Sequence, residues 1–283
     1  MVAVKYMGEY NYIPSIPAAV IFAVVFGIAC IAHSWQMYRN RTWFFIPFIC
    51  GGIFEIAGYA ARAISSNQYP NYTIGPLAVQ AILIMVAPSL YAATIYMTLG
   101  RIMIVTGGEK YSIIRRSWLT KIFVFGDVIC FLIQAGGAGM LVQVSTAATG
   151  EKIIKIGLIV QIVFLALFLI TSVSFHLRLS KNGSAYSMQV PWKRHQLALY
   201  ITSALVFVRS IFRFIEYALG STGPLLQHEY WSYIFDASLM VIVMLVFNVI
   251  YPGEIGDLLR ERKKGDDGME LLDEQRYATG NYP

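Results

Sequence analysis

Apolar residues dominate seven stretches of this chain, at about 17–37, 43–64, 77–99, 122–142, 156–177, 197–219 and 230–251. Each is long enough to cross roughly 30 Å of hydrocarbon. Polar residues gather in the short connections between them. The pattern predicts an all-α polytopic membrane protein: a seven-helix transmembrane domain over 1–256, then a tail over 257–283 with the composition of a disordered segment. Pro14 and Pro17 suit an extended entry into the first helix and its first turn. Pro88, at the middle of the third helix, predicts a kink or an opened carbonyl, which membranes tolerate where a neighbour satisfies the freed backbone group. Gly136-Gly137-Ala138-Gly139 closes the fourth run and admits a second backbone at close range.

Composition sharpens this picture. Only 13% of the 283 residues are charged, 57% are hydrophobic and mean hydropathy is +0.58, too few charges for a soluble domain of this size. The loops leave no room for a fused ATPase or a large ectodomain. Net charge is +6, and 16 of the 22 Lys and Arg fall on one side of the predicted membrane, with three on the other and three inside it. By the positive-inside rule, the N-terminus is expected outside and the C-terminus in the cytoplasm. The basic residues sit in short loops, so no nucleic-acid partner is expected. Cys30, Cys50 and Cys130 all lie within spans, which argues against a lumenal disulfide framework. Met1 to Pro14 lacks the features of a cleavable signal peptide, so the first run is expected to be a true span. Asn71-Tyr72-Thr73 is a formal glycosylation acceptor on the outer side. In the tail, Asp267 to Leu272 has the pattern of an acidic dileucine sorting signal.

Seven ionisable residues stand inside the spans: Glu55, Arg62, Asp127, Arg209, Arg213, Glu216 and Asp236. An unpaired charge at the bilayer centre costs at least ~2.5–3.5 kcal/mol, so such residues usually pair, face a shared interior and mark a site or pathway. Three helices repeat one spacing. Glu55, Tyr59 and Arg62 lie at i, i+4, i+7, as do Arg209, Arg213 and Glu216, and Glu229, Tyr233 and Asp236. On a regular helix this puts each trio on one face. All three faces are expected in the outer half of the membrane, with Gln161 near the same layer. Two readings remain open. The charges form buried pairs that fix helix packing, or they line a polar cavity that receives a head group through Glu55, Tyr59, Arg62, Gln161, Arg209, Arg213, Glu216, Tyr233 and Asp236. His33, Asp127 and Gln134 are secondary polar positions; a His33–Asp127 contact is compatible with their depth, as is separate satisfaction by neighbours.

Several stretches carry a family resemblance: Tyr12-Ile13-Pro14-Ser15, Phe54-Glu55-Ile56-Ala57-Gly58-Tyr59-Ala60-Ala61-Arg62, Ala87-Pro88 with Tyr96 and Gly100-Arg101, and Phe125-Gly126-Asp127 with Gln134, Gly136 and Gly137. Gly157-Leu158 with Gln161, the run from Arg209 to Glu216, Glu229 with Tyr233 and Asp236, and Pro252-Gly253 complete the set. Over about residues 10–256 the chain resembles the fungal lipid-translocating exporters, seven-helix proteins linked to 7-aminocholesterol resistance and sphingoid long-chain-base export. The resemblance implies a seven-span fold and a role in amphiphile resistance or translocation; the expectation is a plasma-membrane protein that binds and translocates or exports an amphiphilic lipid, giving resistance to toxic lipids. One branch is linked to porphyrin or haem traffic, so the resemblance leaves the substrate open.

Other classes fit less well. A receptor-like, lipid-sensing protein that acts by signalling is the main rival, although Leu99-Gly100-Arg101 lacks an acidic residue before the Arg. A retinal protein needs a Schiff-base lysine inside a helix, and none is present. An intramembrane zinc hydrolase needs three ligands, and His33, His176 and His195 lack the spacing of a helical metal pair. No phosphate-loop motif occurs. The expectation is a non-enzymatic protein with no cofactor and no metal, whose partners are an amphiphilic lipid and the membrane; its oligomeric state is left open.

Overall fold

The computed structural model describes residues 14–68, 72–140, 145–182, 191–220 and 224–258. It contains seven helices long and apolar enough to cross a membrane. These are α1 (Ile16–Asn40), α2 (Ile46–Ser66, entered through a 3₁₀ turn at Trp43–Phe45), α3 (Ile74–Val105), α4 (Arg116–Met140), α5 (Ala147–Asn182), α6 (Trp192–Leu219) and α7 (Glu229–Val249). Among the described residues there is no strand. Asn71 and the tail beyond Leu258, with its dileucine pattern, lie outside the described residues.

Helices α3 and α5 extend well past the apolar runs that announced them, to 32 and 36 residues. Hydropathy marks where hydrocarbon ends, whereas a helix continues while its backbone bonds are made. The first turns of α5 carry a Glu151–Lys155 pair (2.8 Å) at i, i+4 that supports a solvated helix. At α1 the proline-based expectation holds: Ser15 caps the helix by accepting from the Ala18 N–H, and Pro17 stands in the first turn, where no amide donor is needed.

Consecutive helices pack side by side, α7 returns against α1 to close the ring, and α3 reaches across to α6. The outward face of α1 shows the lipid boundary, with Ile21, Val24, Ile28 and Ile31 all more than half exposed. Inward faces build the core. Phe45, Phe48, Tyr91 and Phe247 interlock between α2, α3 and α7, and Tyr96, Phe123 and Phe168 join α3, α4 and α5. One glycine expectation is met at a single position. A Cβ on Gly137 would lie 2.8 Å from the Gly150 carbonyl of α5, whereas Gly136 and Gly139 face open space.

Helix α7 departs from regular geometry. Residues Tyr233–Ala237 form a π turn, in which each N–H reaches back five residues instead of four. The widened turn breaks the single face expected for Glu229, Tyr233 and Asp236, because the i, i+4, i+7 rule assumes an unbroken α-helix. This correction decides which partner each of the three meets.

Candidate functional site

Pro88 sets one corner of the site. It has no N–H, so the carbonyl of Ile84 one turn earlier loses its intrahelical donor. Arg209 of α6 supplies it, with Nη2 donating to the Ile84 carbonyl at 2.8 Å. The opened carbonyl that the sequence predicts is therefore present and filled by a guanidinium.

The same Arg209 pairs through Nε with Asp236 of α7. Arg213, one turn on, donates to Glu216 at 2.8 Å and reaches the other Asp236 oxygen at 3.4 Å. Asp236 thus lies between two guanidiniums, deeply buried at 2% side-chain exposure. Glu55 of α2 is 1% exposed, and neither of its carboxyl oxygens has a hydrogen-bond partner. The charges it faces are Asp236, Arg209 and Arg213.

Before the π turn, α7 points the other way. Glu229 accepts from Arg62 of α2 at 3.1 Å and from the Ser15 backbone N–H at 2.8 Å, and Arg62 Nε donates to the Tyr233 hydroxyl at 3.1 Å. Phe22 stacks on Tyr233 with centroids 5.0 Å apart, and Tyr59 packs with Phe22 and Phe26. This group ties α1, α2 and α7 together. Arg62, Tyr59 and Tyr233, which the sequence grouped with the helix 6 charges, belong here.

A small open cleft lies between α3, α4, α5 and α6. Its polar lining is Gln134, Gln161, Arg209, Ser210, Arg213 and Tyr217, and Met85 and Ile82 contribute apolar wall. Gln134 donates to Gln161 at 2.9 Å across α4 and α5. Gly157 makes room for that contact, since a Cβ there would fall 2.8 Å from Gln134 Cγ. Two arginines, two amides and two hydroxyls along an apolar cleft suit a polar head group whose apolar remainder lies against the helices.

Glu55, Glu216 and Asp236 are not among the residues lining the cleft; Asp236 and Glu216 stand behind the arginines. Sequence reading missed Ser210 and Tyr217, although each is one turn or less from a residue it named. His33 and Asp127 do not meet. His33 Nε2 bonds the Met244 carbonyl at 2.9 Å, and the Tyr96 hydroxyl donates to Asp127 at 3.0 Å, because different neighbours turn the two residues apart. His176 bonds the Tyr200 hydroxyl at 3.0 Å and His195 stands 3.1 Å from Glu254, so the three histidines keep separate partners.

The family described as RTA1 like protein matches residues 48–257, which take in α2 from its third residue, α3 through α7, and every charge above. The chain belongs to that family. Protein RTM1 of Saccharomyces cerevisiae is 41% identical over 77% of this chain and 71% of its own length. The protoporphyrin uptake protein 1 of the same yeast is 32% identical over 89% of this chain and 95% of its own. A lipid-translocating exporter-like protein RTA1 of Leptosphaeria maculans is 30% identical over 86% of this chain and 51% of its own. No solved structure matches. The resemblance read from the motifs in each span is thereby borne out at the level of the family, and an integral membrane protein with seven spans is the form this member takes.

Proposed function

We propose that this protein binds an amphiphilic lipid and moves it across its membrane. The head group enters the cleft between α3 and α6, and the chains lie along the apolar helix faces. The observation that carries this reading is the cleft itself: six polar side chains from three helices converge on one opening in an otherwise apolar bundle. The lipid-translocating name of one relative supports the same class. On this reading the protein transports and does not catalyse. It sits in the plasma membrane with its N-terminus outside, and export of toxic amphiphiles, sphingoid long-chain bases among them, gives resistance.

The test is translocation by purified protein in liposomes, where no signalling partner exists. Three probes are compared: a fluorescent long-chain base, a fluorescent phospholipid and protoporphyrin IX. Faster movement of a lipid probe than in protein-free vesicles supports the proposal, and movement of protoporphyrin alone reassigns the cargo. Gln134→Leu with Gln161→Leu removes both halves of one hydrogen bond, a change that leaves stability nearly unaltered. Loss of one or two head-group bonds should slow translocation roughly tenfold. An unchanged rate removes the head group from this cleft.

A further inference from the structure

Among the described residues, the buried charges do not balance. Arg62 pairs with Glu229, Arg209 with Asp236, and Arg213 with Glu216 and, at longer range, Asp236, so three guanidiniums serve three carboxylates. Glu55 is the fourth carboxyl of the group. It is 1% exposed, without a hydrogen-bond donor to either oxygen. Asp127, the other carboxyl buried in the spans, has at least the Tyr96 hydroxyl as donor.

The groups that face Glu55 come from every neighbouring helix. Tyr59 lies on its own helix; Tyr91 comes from α3, with Cys30 of α1 beside that phenol; Arg209 and Arg213 come from α6, and Asp236 from α7. Both arginines already serve Asp236, and Asp236 repels a second negative charge. An ionised carboxylate without a donor or a cation of its own does not persist in such surroundings.

We propose that Glu55 is a proton-exchange site that couples movement of the cargo to a proton gradient. It holds the proton in the conformation described here and releases it to water when the bundle opens toward the other side. This inference rests on the transport reading above. Coupling arises because Arg209 and Arg213 are shared: they line the cleft on one side and hold Asp236 on the other. A cargo oxygen that draws a guanidinium away from Asp236 leaves the two acids with less positive charge, which favours the protonated form of Glu55. Cargo and proton therefore bind together, each raising the affinity for the other, so the pair leaves from the more acidic side: outward export is driven when the cytoplasmic face is the more acidic, and an acidic exterior opposes it. The cargo class this selects has a head group with acceptor or anionic oxygens.

Two measurements on the full-length protein test this. Infrared spectroscopy of the protein in lipid nanodiscs at neutral pH should show the carbonyl stretch of a protonated carboxyl. That band should remain in Asp127→Asn and vanish when Glu55→Gln is added to Asp127→Asn, with Glu55→Met as a second, apolar replacement should the amide fold poorly. A wild-type spectrum without the band, or a band that survives both Glu55 replacements in the Asp127→Asn background, overturns the inference whether or not transport is seen. In liposomes, acid on the side from which a fluorescent phosphatidic acid departs should speed its movement severalfold over the symmetric condition. Glu55→Gln should move it at one rate under both conditions. A Glu55→Gln variant that keeps the wild-type gradient response overturns the coupling while leaving the transport reading intact. If no probe moves with any variant, the transport reading fails; the infrared result still decides whether Glu55 carries a proton.

Discussion

Arg209→Met tests whether the proline break in α3 and the charge network in α6 and α7 are one structure. The substitution keeps an unbranched side chain of similar reach but removes every donor. Asp236 then loses its closest cation, and stranding one member of a buried pair costs about 3–5 kcal/mol. Arg213, still 3.4 Å from the other Asp236 oxygen, holds the loss toward the lower end of that range. The Ile84 carbonyl loses the Arg209 donor as well, which adds about 1–3 kcal/mol for a buried acceptor left unsatisfied. Against total stabilities of about 5–15 kcal/mol, this is a severe loss. Pro88→Ala supplies the missing backbone N–H. In the wild type that N–H competes with Arg209 for a carbonyl already bonded, whereas in Arg209→Met it fills a vacancy. The gain in helix propensity from removing Pro is common to both backgrounds and cancels in a double-mutant cycle. The expected coupling is therefore about 1–3 kcal/mol, the carbonyl's share alone. Unfolding in mixed micelles of rising sodium dodecyl sulfate content, followed by circular dichroism, measures all four proteins. Additivity within about 0.5 kcal/mol would refute the idea that Pro88 opens a carbonyl for Arg209.

Two further outcomes follow from packing and exposure. Gly51→Ala places a Cβ 2.8 Å from the Tyr91 ring and 3.0 Å from the Ala87 carbonyl. The backbone cannot yield cheaply, so α2 and α3 are forced apart at about 1–3 kcal/mol, while Gly136→Ala, facing open space, leaves the same unfolding curve unshifted. Equal stability of the two variants would contradict the helix contact. Arg62→Met strands Glu229, but that carboxylate is 14% exposed against 2% for Asp236 and keeps the Ser15 N–H. Its loss of stability should be the smaller of the two arginine variants, and the reverse order would show that water does not relieve Glu229.

By itself, the sequence determined what depends on local order along the chain. Apolar run length gave seven spans, because a bilayer demands a fixed length of hydrocarbon-soluble helix. The missing N–H of Pro88 announced an open carbonyl, and helical spacing placed Arg209, Arg213 and Glu216 on one face of α6, where they remain. Tertiary structure decided what depends on how faces are turned toward one another. The π turn in α7 separates Glu229 and Tyr233 from Asp236, sending the first two to Arg62 and the third to Arg209 and Arg213. No periodicity argument anticipates that extra residue in a turn. The pairing of Gln134 with Gln161 needed the close approach of α4 and α5, and the parting of His33 from Asp127 needed the closure of α7 on α1. Glu55 is the sharpest case. Sequence shows an acid in a membrane, but only the assembled ring shows that the two arginines it faces already have carboxylate partners.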